Sequence, residues 1–421
     1  MTGAGPLSAA GAAATAGAEA AGAGSGAPPT MASADTGAPP EARCGAEATG
    51  ARVVVVVPPG PFLVLASAAV DHDGWPLMFW LVAGLSVLAM VPVALSMPGR
   101  QGQATVAGQA RLAPIAALGL GSFLLLHALQ RSYYDFFSDR HLLVLSAVAG
   151  IAAMGYFVRS ETRNGAPLLK LGGMKEVRFI CGLALFMACY LMLGANGYLV
   201  PVMLQRALGQ SWSTTGEFFA MGLGAGVLTW AVMSQLLPRW PAPRKFFVTG
   251  FLALAAFGGL MSRLTPDADL WTAVFPALAC YGVFIMIVMP TTAMQTFTGL
   301  TGDPAVFAHA QQVKNMLAQI GQALGIMLAT IGQQWFTSEH YDRLRGGIVA
   351  GNANFESAMA RLTDYFSAVA GPAQARELAM EQIAQMVSRQ SVLLASLDHF
   401  HVVMAVALIA AVVSLTQRVF R

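Results

Sequence analysis

Residues 179–204 read FICGLALFMACYLMLGANGYLVPVML, a run of 26 residues without a charged side chain. A helix needs roughly 20 mostly apolar residues to cross the hydrocarbon core of a bilayer. The run is longer than that, so it predicts a membrane-spanning helix.

The rest of the chain has the same apolar character. Of its 421 residues, 56% are apolar and only 11% are charged, and the mean hydropathy is +0.60. Soluble domains carry about a quarter charged residues, so this composition indicates a protein that is solvated by lipid. The net charge of +3 is too small and too scattered to indicate a nucleic-acid partner.

Nine segments are long and apolar enough to span a membrane. They lie near 75–97, 112–130, 142–158, 179–204, 215–237, 246–264, 271–294, 311–335 and 401–417. A tenth candidate, 53–70, is apolar but is interrupted by three prolines and a glycine, which neighbouring helices can accommodate. The sequence therefore predicts an all-α integral membrane protein with nine transmembrane helices and a candidate tenth.

The N-terminal segment has a different composition. Ala and Gly supply 28 of its first 50 residues, and such a segment buries too little apolar surface to offset the entropy of ordering it. Residues 1–51 are therefore predicted to be a disordered tail. The transmembrane bundle then occupies 52–417, and residues 418–421 form a short tail.

Positive charges in the loops predict the orientation, because cytoplasmic loops are enriched in Lys and Arg. One set of loops, with the C-terminal tail and with Lys314 counted at a helix start, carries 13 positive residues. The short loops of the other set carry four, namely Arg131, Arg140, Arg206 and Arg263. The first set and the C-terminus are therefore expected in the cytoplasm. Residues 336–400 then lie outside, and Gly371-Pro372 divides them into what we expect to be a helical hairpin.

Residues 161–216 carry the most specific pattern in the chain. They read ETRNGAPLLKLGGMKEVRF, then the apolar run, then GYLVPVMLQRALGQSWSTTG. This pattern resembles the EmrB/QacA type of the major facilitator superfamily, in which a glutamate, Pro-Leu-Leu and a basic loop precede a helix with a distinctive end. The end signature is matched by Pro201, Gln205, Gly209, Ser211 and Gly216. Upstream, GPFLVLASAAVDHDGWPLMFW is similar to a second motif of the family, with Val64-Leu65 in place of Gly-Gly.

The resemblance covers about 59–421 and implies a fourteen-helix, proton-driven exporter of amphipathic drugs in the inner membrane. A periplasmic adaptor protein is among the partners that it implies. The family's first four helices have no counterpart here and the fifth is at most a remnant, so we expect a partial bundle. Two functions stay open, an exporter and a truncated, transport-inactive membrane fragment. An intramembrane enzyme would need acid, base or metal ligands that converge at one depth, and we do not expect one.

The penultimate span carries a stripe of amides. Spacings of 4, 4 and 3 place them on one helical face; they are Gln311, Asn315, Gln319 and Gln322. Polar side chains within spans usually face a cavity or the bundle interior. The stripe is therefore a candidate lining of a substrate path, and hydrogen bonding between helices is the equal alternative. Gly321 and Gly325 beside it form a small-xxx-small pair suited to tight helix contact.

Two other polar positions are candidates for the substrate path. Asn196 lies between two glycines with Pro201 one turn on, which favours a bend that either opens a cavity or accommodates a neighbouring helix; we favour the second interpretation. Gln295 belongs to a similar patch with Pro290, Thr291 and Thr292.

Glu217 and His127 are the candidates for proton coupling. Glu217 is the one acid inside a strongly apolar segment, and a carboxylate at low dielectric has a raised pKa and can exchange its proton. Its alternative is a helix-start carboxylate stabilised by the helix dipole. His127 is the lone histidine within a span, and a hydrogen-bonded interior residue is its alternative.

No metal or cofactor site is predicted. The cysteines Cys44, Cys181, Cys189 and Cys280 lack metal-ligand spacing and are interpreted as reduced residues. The group Asp398-His399-Phe400-His401 is interpreted as the polar residues of a membrane interface rather than as a metal site.

Overall fold

The computed structural model describes residues 75–96, 111–165, 167–239, 242–300, 302–349 and 351–420. The predicted tail, 1–51, and the candidate tenth span, 53–70, lie outside these residues. Within them the chain forms ten α-helices and no β-strand. The prediction of an all-α membrane protein is confirmed.

The helices are numbered here in chain order. They are α1 Trp75–Ser96, α2 Leu112–Asp135, α3 Arg140–Arg163, α4 Val177–Val202, α5 Trp212–Arg239, α6 Pro243–Met261, α7 Phe275–Phe297, α8 Pro304–Arg345, α9 Ala353–Ala370 and α10 Pro372–Thr416. Eight of them in the described part of the chain are long and apolar enough to cross a membrane, namely α2 to α8 and α10. Helix α1 is a further run of 22 residues without a charge. Each of the nine predicted spans therefore coincides with a helix.

Helix α8 begins earlier than hydropathy predicts. The Asp303 carboxylate accepts hydrogen bonds from the amides of Ala305 (2.9 Å) and Val306 (3.3 Å), and Pro304 occupies the first helical position, a favourable start for a helix. These hydrogen bonds hold the pKa of Asp303 below its usual range, and the bond from Val306 has the largest effect. Lys314 therefore lies inside the helix, with its ammonium 5.7 Å from the centre of the Phe186 ring. The assignment of Lys314 to a helix start was wrong, and 12 of the 13 charges remain in the orientation argument.

The segment 336–400 is helical and contains the predicted hairpin, because α9 and the first part of α10 pack on each other on either side of Gly371-Pro372. Helix α8 runs without a break to Arg345, and α10 runs from Pro372 into the last span. Residues 336–345 and 373–400 contain no glycine or proline that would end a helix. The chain does break at Gly371, whose φ of +85° is a conformation that glycine adopts readily.

Six helices, α4 to α8 and α10, pack into one group. Helix α4 packs on α7 and α8, α6 packs on α7 and α10, α8 packs on α10, and α5 packs on α7. Fully buried aromatic rings lie between them, such as Phe257 of α6, which contacts Phe400 of α10 with ring centres 5.6 Å apart. Helices α2 and α3 pair with each other, and α2 also contacts α8.

Glycines allow the closest of these helix contacts. A Cβ added at Gly325 would lie 2.1 Å from the carbonyl oxygen of Leu191, and one at Gly321 would lie 2.9 Å from that of Met187. Both carbonyls belong to α4. The predicted small-xxx-small contact is therefore confirmed, and it joins α8 to α4.

We call the end of the bundle where α3, α5, α7 and α10 finish the basic end. There Glu161 is buried, and its carboxylate accepts hydrogen bonds from the amides of Leu168 (2.6 Å) and Leu169 (3.2 Å). The next residue, Lys170, donates its backbone amide to Nδ1 of His309 (3.2 Å). The glutamate and the Pro-Leu-Leu sequence of the motif thus fasten the loop after α3 to the start of α8.

Candidate functional site

The amide stripe lies on a face of α8 that the other described helices leave uncovered. Asn315 and Gln319 are exposed, whereas Gln311 and Gln322 are half-buried. Gln312 is also exposed and belongs to the stripe, although the sequence prediction did not include it. The opposite face, with Gly321 and Gly325, is the one that contacts α4. The stripe is therefore centred on Gln312, Asn315 and Gln319, and it is not part of the α4–α8 contact.

Asn196 lies away from this stripe. It is fully buried in α4, and the Tyr281 hydroxyl of α7 lies beside it, but neither amide atom makes a hydrogen bond of ordinary geometry. Helix α4 changes to a π-helical turn at Met203–Ala207, just after Pro201, as expected where a proline disrupts the helical hydrogen bonds. This position supports the interpretation of Asn196 as a packing residue near a bend.

Gln295 is held by a cation at the basic end. Its side-chain oxygen accepts a hydrogen bond from a terminal nitrogen of Arg178, and its carbonyl accepts one from Arg178 Nε (2.9 Å). The hydroxyls of Thr291 and Thr292 donate to carbonyls one turn back, at 2.6 and 2.7 Å. The polar groups of this patch thus have hydrogen-bond partners within the protein, which favours a role for Gln295 in joining α4 to α7.

The two proton-coupling candidates lie on different helices. Glu217 is exposed in the second turn of α5, and His127 is exposed on α2, where its ring stacks on Phe123 with centres 5.9 Å apart. The structure therefore does not place His127 in the interior.

A cavity of about 430 Å³ opens at the end opposite the basic end, among α2, α4, α8 and α10. Its walls are formed by Tyr133, Tyr134, Tyr198, Val202, Arg206, Gln333, Gln334, Thr337, Ser338 and Val392. This volume suits a drug-sized molecule, because ligand pockets measure about 300–1,000 Å³. We call it the tyrosine cavity.

The tyrosine cavity combines aromatic walls with a few polar groups. The rings of Tyr133 and Tyr198 meet edge to face, with centres 5.7 Å apart. Gln333 is buried, and its amide nitrogen donates to the Val392 carbonyl and to the Ser396 hydroxyl, both at 3.2 Å. Its side-chain oxygen is buried without a hydrogen bond. That oxygen can accept a hydrogen bond from a molecule in the cavity.

A histidine–carboxylate pair lies near the same end. Nε2 of His340 is 2.7 Å from a carboxylate oxygen of Asp398, so the pair joins α8 to α10. Sequence reasoning placed Asp398 at an interface but missed this partner. It also missed the tyrosine cavity, although Gln333 and Gln334 continue the run of amides along α8.

The sequence of the chain was compared with those of known proteins. No model of a protein family matches the chain. The colistin resistance protein EmrB of Acinetobacter baumannii is 25% identical over 247 residues, which are 57% of this chain and 46% of that protein. The multidrug export protein EmrB of Escherichia coli is 22% identical over 377 residues, which are 86% of this chain and 68% of that protein. The chain is thus similar to EmrB-like multidrug resistance proteins.

A shorter match has the highest identity of the three. The puromycin resistance protein pur8 of Streptomyces alboniger is 32% identical over 205 residues, which are 44% of this EmrB-like chain and 37% of that protein. The chain thus spans less than half the length of the Acinetobacter and Streptomyces proteins. Its apolar helices and its similarity to these membrane exporters together indicate a multi-pass membrane protein.

Proposed function

We propose that this EmrB-like chain forms part of a proton-coupled exporter of amphipathic compounds, with the amide stripe of α8 on the substrate path. The exposed stripe carries this proposal. Amides that face hydrocarbon cost free energy, so Asn315 and Gln319 are better explained by a hydrated path than by lipid contact. The tyrosine cavity, farther along α8, offers aromatic walls where an amphipathic compound can bind before release.

The names of the relatives suggest the class of substrate. They are resistance or export proteins for colistin, puromycin or several drugs. We propose amphipathic antibiotics for this chain too, with protons as the coupled ion and a periplasmic adaptor protein as a partner. Glu217 and His127 remain the proposed proton-coupling residues.

The stripe predicts the outcome of removing its amides. Gln319→Leu and Asn315→Leu should each reduce puromycin export about fivefold, because a lost hydrogen bond costs about 1 kcal/mol. Export per molecule would be measured in pump-deficient cells that carry the chain fused to the upstream helices of a relative. Gln385→Leu, which removes an exposed amide from the outer part of α10, is the matched control. A lower amount of protein with unchanged export per molecule would favour helix bonding instead.

The same cells separate the exporter from the transport-inactive fragment. The unfused chain, present in the membrane at the same amount, is compared with the fusion. If only the fusion exports puromycin, the unfused chain is inactive in transport. Export by neither would refute the proposed function.

We also propose that the basic end and the C-terminus face the cytoplasm. In a cysteine-free background, a membrane-impermeant maleimide should label Ser338→Cys in intact cells and should label Lys245→Cys only after the membrane is opened. Ser338 lines the tyrosine cavity, and Lys245 is exposed at the basic end. The reverse labelling pattern would overturn the orientation.

A further inference from the structure

A second cavity, of about 480 Å³, lies at the basic end among α5, α6, α7 and α10. Its walls are formed by Thr229, Val232, Met233, Arg244, Lys245, Phe246, Val248, Thr249, Ile287 and Leu415. Val232 and Leu415 are 61% and 58% exposed, so the cavity opens to the outside of the bundle. The walls run from Thr229 to Met233 on α5 and from Arg244 to Thr249 on α6, so each helix contributes about 6–8 Å to the length of the groove.

The only charges on these walls are the cations of Arg244 and Lys245. Both lie in the first turn of α6, where the orphan backbone amides and the helix dipole add positive potential. The sequence supplies no acid in 218–266, in 270–302 or in 399–421. The parts of the four helices that form the groove therefore contribute no carboxylate of their own.

Two buried donors lie at the charged end of the groove. A terminal nitrogen of Arg244 donates to the backbone carbonyl of Gln417, just after α10, whereas Nε of Arg244 is buried without a hydrogen bond. The side-chain nitrogen of Gln417 is also buried without one. Buried donors normally have an acceptor, and a buried charged donor is especially costly to leave unpaired. An anionic oxygen is the acceptor that suits both groups.

We propose that this groove binds an anionic phospholipid. Its phosphate would contact Arg244, Lys245 and the start of α6, and an acyl chain would lie along Val232, Met233 and Leu415. Basic pockets between transmembrane helices are suited to such headgroups. A free phosphate could satisfy the cations but not the apolar walls, so the lipid is the better match to the whole groove.

Native mass spectrometry of the purified full chain tests this proposal. The probes are dioleoylphosphatidylglycerol, dioleoylphosphatidylcholine with the same acyl chains, and inorganic phosphate. We expect the chain to retain phosphatidylglycerol about tenfold more than phosphatidylcholine, which corresponds to about 1.4 kcal/mol. The phosphatidylglycerol should also raise the melting temperature, and inorganic phosphate should not. Equal retention of the two lipids would refute the site, and equal protection by inorganic phosphate would identify a free-anion site instead.

Two kinds of variant locate the binding. Arg244→Gln with Lys245→Gln should abolish the preference for phosphatidylglycerol, whereas Arg159→Gln with Lys175→Gln removes two exposed charges elsewhere at the basic end and should preserve it. Val232→Trp fills the groove without changing its charge and should reduce retention of phosphatidylglycerol. If the Arg244→Gln, Lys245→Gln variant fails to fold, Val232→Trp still tests whether the groove binds the lipid. Full retention of phosphatidylglycerol by Val232→Trp would mean that surface charge alone holds the lipid. It would contradict the proposal that the lipid binds in the groove.

Discussion

Gly325→Ala is expected to destabilise the bundle strongly, although alanine is the better helix former. Alanine favours a helix interior by about 1 kcal/mol over glycine, so local propensity predicts stabilisation. The contact predicts the opposite, because the new methyl group would lie 2.1 Å from the Leu191 carbonyl oxygen and 3.0 Å from the backbone nitrogen of Ala195. Backbone atoms cannot move aside as a flexible side chain can. The whole of α8 must shift from α4, at a cost of about 1–3 kcal/mol or more.

The chain offers a matched control for this prediction. Gly197 lies within α4, and a Cβ added there has nothing within 4 Å. Gly197→Ala should therefore leave the melting temperature unchanged or raise it, while Gly325→Ala lowers it by at least about 5 °C. The measurement is the loss of monodisperse protein after heating in detergent, followed by size-exclusion chromatography. Equal melting temperatures for the two variants would show that α4 and α8 do not meet through Gly325.

Apolar length predicted the spans well but their ends poorly. Nine helices coincide with the nine segments, because a charge-free run of about 20 residues has few structural alternatives. The ends depend on local chemistry that hydropathy ignores. The Asp303 cap starts α8 seven residues before Gln311, and the absence of a helix breaker carries the same helix to Arg345. For the same reason the second arm of the predicted hairpin continues into the last span as one helix, α10.

The candidate site depends on contacts between helices, which the pattern within a single helix does not reveal. Periodicity correctly grouped Asn315 with Gln319, but Gln311 and Gln312 fit almost the same face, and only the packing of α8 on α4 decides between them. For Asn196 the sequence favoured accommodation of a neighbouring helix over a cavity, but it could not identify that neighbour, because the position of Asn196 against Tyr281 depends on α7. The tyrosine cavity is formed by four helices, so no single stretch of sequence indicates it.

The acidic residues of the bundle differ in their hydrogen-bond partners. Glu161 is buried near the end of α3 and accepts two hydrogen bonds from backbone amides of the following loop, which indicates a structural role. Asp398 is engaged by His340. Glu217 is exposed on α5, beyond the reach of those partners. It is therefore the carboxylate we propose to take up and release the coupled proton as access alternates between the two sides of the membrane.

Glu217→Gln is accordingly expected to abolish uphill export while substrate binding persists. Glutamine resembles the protonated carboxyl but cannot release a proton, so a proton gradient can no longer drive the cycle. Each coupled proton contributes about 1.4 kcal/mol per pH unit, which supports about a tenfold substrate gradient. With Glu217→Gln that gradient should collapse to equilibrium, measured as puromycin accumulation in inverted vesicles that carry the fused chain.

Three variants make this result specific to Glu217. Glu339→Gln removes an exposed carboxylate that pairs with Arg343 on the outer part of α8, so it should leave the tenfold gradient intact. Asp398→Asn and His127→Gln test the other groups that could exchange a proton. If uphill accumulation survives Glu217→Gln but fails with one of these two, the coupled proton binds at that residue. Because Glu217 is exposed in the described bundle, its loss should change coupling without changing the amount of folded protein, which separates the mechanism from stability.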